Sequence, residues 1–577
     1  MAIQDKFNKS NVIYKITRDI DLDGGTLTIP AGCTLDFQGG TFSNGTIVGN
    51  ATKIIAKRKV FNTITLAGTW DTNFCISNFA NSGDNVTTIV NNILDVISLG
   101  GTLIFQEGNW ILGLNKTFID TTVENYFNII GESGSVITTQ TGSDFALSIS
   151  DFYKSGQNKT NPVRFVNLNI NCNSSGGLQL KSGRINIEGC TITNVGKTAI
   201  ELNDCGGAHL SSSKLVGNRT VTSSTRIGIK MWNNSSDGII EGFIIDGFNK
   251  GIHIIDCGGN RYLNNTIWGS PICLENETYT FHRGNIITGN QIQAQPGGIG
   301  IYCHGTVDTT GYPLTTVISD NFCYIDTSQF IKIDSGTQYV ISDNVCTSLT
   351  PSNSDKLNVI ELNKCYSSNI INNIISDLYN NWSGIFISNC GTINIDKNIV
   401  ASLSAGGILV ELGDNNSYCT ISNNSNQQGA VGSYLVSSTT INTGGSFINN
   451  RPAGSATLNY AKNYDNFVSE KGYLISNKKE VEGMTWERPL ALSQDNNTHS
   501  YLWFNGSKLY IKSGSKPTTF TDGALLVING KPNNGATSDR PAGLTSTDTG
   551  FQFYDRTLIK PIWWNGTAWI DATGATV

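Results

Sequence analysis

From about residue 160 onward one short arrangement of apolar and polar positions keeps returning: an aliphatic residue, two mostly polar residues, then asparagine. It reads Ile287-Thr-Gly-Asn290, Ile318-Ser-Asp-Asn321, Ile341-Ser-Asp-Asn344, Ile370-Ile-Asn-Asn373, Ile395-Asp-Lys-Asn398 and Ile421-Ser-Asn-Asn424. Weaker copies put Val166, Cys190, Ser213, Phe243 and Asn265 in the asparagine slot, and successive slots lie 22 to 31 residues apart. Within the repeats apolar residues alternate with period two, as in Gly251-Ile-His-Ile254 and Gly384-Ile-Phe-Ile387, which is strand spacing and not helical spacing. A period of this size holds three strands and three turns. It predicts an all-β chain built on a right-handed parallel β-helix over residues 161–450.

A second phrase, Gly-Ile-x-Ile-x-x-Cys, precedes the first in many coils. Its cysteines Cys205, Cys257, Cys365 and Cys390 each lie five residues before the residue that opens the asparagine phrase, aliphatic in three coils and Tyr262 in the fourth. Equal register means that they occupy one corner of successive coils. In-register parallel strands lie about 4.8 Å apart, so each side chain meets its equivalents above and below. Inward Ile and Val then make a continuous core, Asn amides hydrogen-bond up the stack, and small apolar Cys fills inward turns.

A stack of this kind exposes strand edges at its ends, which need covering. Between Gly83 and Gly100 the apolar positions Val86, Ile89, Val90, Ile93, Leu94 and Ile97 fall at helical spacing. The pattern predicts one amphipathic helix across the first rung, with Asp84 or Asn85 as its N-terminal cap and Gly100 at its end. The chain therefore divides into a β-rich N-terminal segment at 1–65, an entry segment with the helix at 66–160, the β-helix at 161–450 and a tail at 451–577. In that tail Tyr501-Leu-Trp-Phe-Asn-Gly and Pro561-Ile-Trp-Trp-Asn-Gly align at an offset of 60, with Arg488-Pro489 and Arg540-Pro541 before them. Asn-Gly between aromatic runs predicts hairpins, hence two related small β modules.

Composition agrees with this reading and removes some functions. Only 15% of the 577 residues are charged and 62 are glycine, which favours short strands joined by turns. A net charge of −6 gives no electrostatic footprint for nucleic acid, and no run of eighteen apolar residues exists to insert in a membrane. The polar opening Met1 to Ser10 is not a secretory signal, and the thirteen cysteines include no Cys-x-x-Cys pair. Reduced thiols in a chain made in a cytosol are the expectation.

Candidate chemistry is sparse. No phosphate loop, His-Glu-x-x-His or Gly-x-Ser-x-Gly occurs, and the five histidines are scattered without metal-ligand spacing, so neither metal nor cofactor is expected. The outward residue of the Gly-Ile-x-Ile phrase should form a column: Gln179, Glu201, Lys230, His253, Cys273, Gly300, Lys332, Glu361, Phe386, with Glu411 as a tenth member after a one-residue insertion. Opposite charges stacked there form a ladder of weak pairs. Asp204 and Asp256 each lie six residues before the residue that opens their phrase, Leu210 or Tyr262, and two rungs apart. That separation, roughly 9–10 Å, is at the upper edge for an inverting glycosidase pair, with Glu201 and His253 nearby. The same slot holds Lys364 and Asn389 elsewhere, which reads as a solvent turn. Glu275, Glu277 and His282 form a second acidic set. Three long coils place extra loop around 217–226, 303–316 and 347–356, and Trp232, Trp268, Tyr279, Tyr302 and Tyr312 lie in or beside these coils as candidates to line a glycan groove. Trp563 and Trp564 offer either sugar-stacking faces or core for the tail module.

Three segments carry a resemblance. Phe79-Ala-Asn-Ser-Gly83-Asp84-Asn, the helix, Gly100-Gly101-Thr102-Leu-Ile-Phe105 and Gln106-Glu-Gly108-Asn-Trp110 resemble the entry segment of the pectate-lyase-like β-helix superfamily found in phage tailspikes. The first Gly and the Pro of that family's pattern are missing here. The Arg-x-Pro-x-x-Arg run and clustered calcium carboxylates of pectate lyases are also absent, which argues against calcium-assisted lyase chemistry. The segments Asp21 to Gly40 and Lys560 to Gly574 resemble virion tail proteins of phages of Bacteroides-type bacteria, the crAss-like group included. The resemblance implies a phage tail spike or fibre in the virion. It implies a homotrimer that docks to other tail proteins through its N-terminal region and binds a bacterial surface glycan, with or without cleaving it. The other function classes are a purely structural tail component and a glycosidase or lyase outside any virion.

Overall fold

Every coil contributes one strand to each of three parallel sheets, and the sheets run the length of a β-solenoid of about 15 turns. The computed structural model describes residues 3–118, 126–150, 161–220, 226–278, 284–305, 316–325, 328–348, 356–379, 382–438, 442–448, 450–453, 457–459, 464–465, 467–468, 474–475, 490–493, 499–505, 508–513, 524–528 and 534–577. One coil shows the plan. Ile239–Glu241 lies in the first sheet, Ile244–Asp246 in the second and Lys250–Ile255 in the third, and Arg261–Leu263 then opens the next coil. Register is exact in residue count along the first sheet, where Ile318, Ile341, Ile370, Ile395 and Ile421 lie side by side. All five are fully buried.

The asparagine slot forms a continuous ladder. From Asn265 through Asn290, Asn321, Asn344, Asn373, Asn398 and Asn424 to Asn450, each Nδ2 donates to the next Oδ1 at 2.9–3.0 Å. Each Oδ1 also accepts the backbone N–H of the preceding asparagine, and each Nδ2 also reaches a carbonyl of the coil before, as Asn344 Nδ2 does Ile318 O at 2.9 Å. A buried primary amide is tolerated because its donors and acceptor are all engaged. The weakest copy needs one correction. Thr191 N–H bonds Leu168 O as Lys214 N–H bonds Cys190 O, so Leu168, not Val166, holds the slot. Without asparagine the slot had only spacing to mark it.

The four phrase cysteines share a corner. In each of Cys205, Cys257, Cys365 and Cys390 the thiol donates to the carbonyl two residues earlier, at 3.1–3.4 Å. All thirteen cysteines are free, and all but Cys75 are buried. Burial pushes the thiols of Cys257 and Cys419 up to about 12, so they are protonated and inert at neutral pH.

The expected helix spans Thr87–Ile97, with Val86, Val90, Ile93, Leu94 and Ile97 buried. The N-terminal cap position is held by Val86, not by Asp84 or Asn85, although Asn85 Oδ1 accepts the Thr87 N–H at 3.0 Å; Ser98 ends the helix, and Gly100, with φ 117°, already belongs to the next strand. The helix also faces the other way: Asn92 exchanges two side-chain bonds with the Leu66 backbone, at 2.7 and 3.1 Å. Behind it the N-terminal β-rich segment is itself a parallel stack. Ile13, Thr34 and Lys53 align, as do Thr26, Thr46 and Thr65. Its shorter period is visible in Gly25-Thr-Leu-Thr and Gly45-Thr-Ile-Val, 20 residues apart.

In the tail, His499–Asn505 pairs antiparallel with Lys508–Ser513, and Lys560–Trp564 with Trp569–Asp571. The offset-60 repeat thus corresponds to two antiparallel hairpins. The second closes through Asn565–Ala568, with Asn565 N–H donating to Ala568 O at 3.0 Å, a longer loop than the two-residue turn that Asn-Gly predicts. Phe551, Phe553, Ile562 and Trp569 form its core, and Trp564 packs on that core with its Nε1 bonded to Thr545 O at 2.9 Å. Trp563 alternates to the opposite side of the strand and stays half-buried. Arg488 and Pro489 lie outside the described residues.

Candidate functional site

On a parallel strand the outward positions are set two residues apart, so two outward columns run along the third sheet. Strand register gives the first column as Gln179, Glu201, Lys230, His253, Glu275, Tyr302, Lys332, Glu361, Phe386 and Glu411. Cys273 and Gly300, expected in this column, are displaced from it by two residues. Cys273 is wholly buried, level with Gly251, and Gly300 precedes Ile301 in the way that Gly251 precedes Ile252. The cause is local sequence. Pro271-Ile-Cys and Gly298-Ile-Gly-Ile imitate the phrase one step too early, and the true copies are Cys273-Leu-Glu and Gly300-Ile-Tyr-Cys.

The corrected register assembles a cluster that the scattered histidines did not suggest. Glu275 stands between His253 on one coil and Tyr302 on the next, with Glu277 and His304 two residues further along their strands. His253 Nε2 lies 3.2 Å from Glu275 Oε2 and 2.9 Å from Glu277 Oε2. His304 Nε2 lies 3.1 Å from Glu275 Oε1, and Lys250 Nζ pairs with Glu275 Oε2. Glu275 is 5% exposed and His253 6%. Burial pushes the Glu275 carboxyl upward, but His304, Lys250 and His253 outweigh it and hold it at about 2. Burial lowers His253, against the pull of Glu277 and Glu275, so its imidazole is neutral at pH 7.

Other members of the two columns satisfy each other. Tyr302 stacks on His304 with centroids 4.3 Å apart, has Lys332 Nζ at 5.6 Å from its ring, and donates its hydroxyl to Asp334 at 3.0 Å. Burial and that carboxylate raise its phenol to about 12. Its ring is therefore flanked by neighbours in the ladder and is not an open platform for a sugar. Trp232 donates Nε1 to Glu201 at 3.2 Å and carries Lys230 Nζ 4.7 Å from its ring centre. Glu201 also accepts from Gln179 at 3.4 Å.

Asp204 and Asp256 sit in the corner after the third sheet, with φ of 55° and 49°. Asn233 on the intervening coil, Lys364 and Asn389 have the same left-handed backbone, which Asn and Asp adopt most readily among non-glycine residues. That geometry accounts for the residue types at this corner. Trp268 is 39% exposed but belongs to the second sheet, level with Asp246 and Gln293, so it shares no face with Trp232. Tyr279, Tyr312 and His282 lie outside the described residues. Lys250, His304 and Asp334 were missed by sequence reasoning. A correct register at Cys273 and Gly300 would have pointed to the last two, since His304 and Asp334 stand level with Glu277.

The architecture defines the chain as a parallel β-helix protein. No protein-family model matches it, and no curated protein does. Solved structures with a similar course include tailspike protein 3 of bacteriophage CBA120, at 11% identity over 88% of this chain and 70% of that chain, with a TM-score of 0.32. The catalytic unit of a thermostable GH87 alpha-1,3-glucanase from Streptomyces thermodiastaticus matches at 11% identity over 72% and 71%, TM-score 0.36. The A-module of mannuronan C-5 epimerase AlgE4 from Azotobacter vinelandii matches at 13% over 68% and 99%, TM-score 0.29. At these values the likeness concerns the solenoid and transfers no residue role. None of these neighbours supports an origin in the crAss-like group.

Proposed function

We propose that this chain is a phage tail spike or tail fibre whose third-sheet face binds a bacterial surface polysaccharide. The supporting observation is the polar cluster of Lys250, His253, Glu275, Glu277 and His304, in which His253 and Glu275 are buried and the other three half-buried. It lies at the centre of a row of hydrogen-bonding side chains that advances one coil every ~4.8 Å. Burying the Glu275 carboxylate and the His253 imidazole on a scaffold that needs only Ile and Asn to stack costs stability, and such groups are kept where they do chemistry or recognition. A linear polymer of hydroxyls and charges fits a rigid row of donors and acceptors. The test uses purified chain and capsule from candidate hosts, reading binding by calorimetry and chain length with reducing ends. Wild type is expected to bind, and Glu275→Gln to bind about tenfold more weakly with unchanged circular dichroism. Equal binding by this variant would remove the third-sheet face from the reading, and no binding by wild type to any host glycan would remove the reading itself.

Hydrolysis is a second reading, favoured by one observation: ligand oxygens of Glu275 and Glu277 lie within 4.8 Å of each other. Carboxyl groups roughly 5–5.5 Å apart suit a retaining mechanism, with one nucleophile and one acid. Loss of cleavage in both Glu→Gln variants, with full activity in Asp204→Asn and Asp256→Asn, is the pattern that this reading requires.

A homotrimer belongs to the same proposal. The outward face of the second sheet carries Ile244, Trp268 and Ile374, all exposed, with Phe322 and Tyr324 between them. Thr266 and Gln291 separate Ile244 from Phe322, while Val345 links Phe322 to Ile374, and exposed apolar side chains on one face suit contact with another copy. Light scattering of the full chain at micromolar concentration is expected to give three times the 62.2 kDa chain mass; a monomer would count against it.

A further inference from the structure

Three of the clustered side chains can do something that glycan binding does not call for. The Nε2 of His253 and one oxygen each of Glu275 and Glu277 all lie within 4.8 Å of one another. The His253–Glu275 and His253–Glu277 separations, 3.2 and 2.9 Å, are close to the edge of a tetrahedron around a zinc-sized ion, which is roughly 3.3–3.5 Å for ligand bonds of 2.0–2.1 Å. One further feature points to a missing partner. Glu275 Oε2 is buried and accepts no well-angled hydrogen bond, although it faces Lys250 and His253.

We infer that His253, Glu275 and Glu277 bind a divalent first-row transition ion of the zinc class, which displaces the Lys250 ammonium from Glu275. One imidazole and two carboxylates form a mixed nitrogen and oxygen set that suits such ions, and three protein ligands leave a fourth position open. Lys250 Nζ, 3.4 Å from His253 Nε2 and paired with Glu275 Oε2, stands at that fourth position as an internal cation. His304 Nε2, 3.1 Å from the other Glu275 oxygen, holds the carboxylate from behind as an outer hydrogen-bond donor. All of these side chains project from adjacent, hydrogen-bonded strands, so the site is preorganised by the sheet and needs no loop to close it. The inference is independent of the glycan reading, since the metal alone is the probe.

Full-length chain stripped with chelator and titrated calorimetrically with zinc chloride at pH 7.5 is expected to show one saturable site and a rise in melting temperature. Glu277→Gln and His253→Ala should each weaken it at least tenfold while retaining the circular dichroism of the solenoid, and Lys250→Met should tighten it severalfold. Absence of saturable binding would overturn the inference. So would affinity unchanged in both ligand variants, which would place the ion on the cysteines or elsewhere, and so would a Lys250→Met variant that binds no more tightly than wild type. Should a ligand variant misfold, the same comparison is made with Glu277→Asp, which keeps the charge and withdraws the oxygen by one methylene.

Discussion

Replacing Asn344 with leucine is expected to lower the stability of the solenoid by roughly 3 kcal/mol, read as the shift in its urea midpoint. The volume is nearly conserved, so the effect is one of hydrogen bonding. Asn344 Oδ1 accepts both the backbone N–H and the Nδ2 of Asn321, at 3.1 and 2.9 Å. Its own Nδ2 serves Ile318 O and Asn373 Oδ1, each at 2.9 Å. Leucine removes all four bonds and leaves the Asn321 amide facing hydrocarbon on both its backbone and side-chain N–H groups. An unsatisfied buried polar group costs about 1–3 kcal/mol, and more than one is created. A change below about 1 kcal/mol would mean that the ladder fills space and contributes little beyond that.

The second large effect belongs to the C-terminal module. Asp555 is wholly buried and takes Arg540 through Nε and Nη2 at 2.8 Å each, Thr537 Oγ1 at 3.0 Å, and the N–H groups of Thr557 and Leu558 at 2.9 and 3.0 Å. Arg540 also donates Nη1 to Val577 O at 2.5 Å, tying the chain end to the sheet. Arg540→Ala leaves the carboxylate without its cation. Loss of one partner of a buried pair costs about 3–5 kcal/mol, and the lower end applies in so small a module, where water is never far away. A core of four buried side chains cannot absorb that loss. The module is expected to unfold, with red-shifted emission from Trp564 and Trp569, while the solenoid melts as before. A native-like spectrum in the variant would show that the pair is dispensable. The pH dependence has a definite sign. Burial opposes ionisation of Asp555, but the Leu558 N–H, Thr537 and Arg540 outweigh it and depress its pKa. Its contribution is therefore complete above the unfolded value of about 3.9 and disappears as pH falls from there through the lower folded value.

These two sites differ in how far the sequence revealed them. The ladder was legible because asparagine recurs at a fixed distance from an aliphatic residue, and the same regularity located the cysteine corner and the length of each coil. The helix was legible from its apolar stripe. The candidate site was legible only in part. Glu275 and Glu277 could be singled out as acidic residues, but their neighbours depended on register. Two residues of false phrase at Pro271 and Gly298 were enough to move Glu275 out of its column and hide its contact with His253. Side-chain direction alternates along a strand, so a two-residue slip keeps the alternation, misplaces only the strand-end residue Cys273, which is wholly buried, and changes every lateral neighbour. That is why the fold survived the error and the site did not. The shorter coils before residue 70 went unread for a related reason: their phrase carries Gly-Thr where the longer coils carry asparagine.

The ladder of amides also has a direction. One Nδ2–H of each asparagine from Asn265 to Asn424 points toward the C-terminal coil and each Oδ1 of the ladder accepts from the N-terminal one, so the dipoles of these amide-to-amide bonds add head to tail along the axis. Polarisation along such a chain strengthens each link, and the coil added last always meets a waiting donor. A nascent chain leaving the ribosome grows in that same sense. The half-built solenoid therefore always presents its acceptor-seeking end to the segment emerging next, and assembly has a built-in arrow.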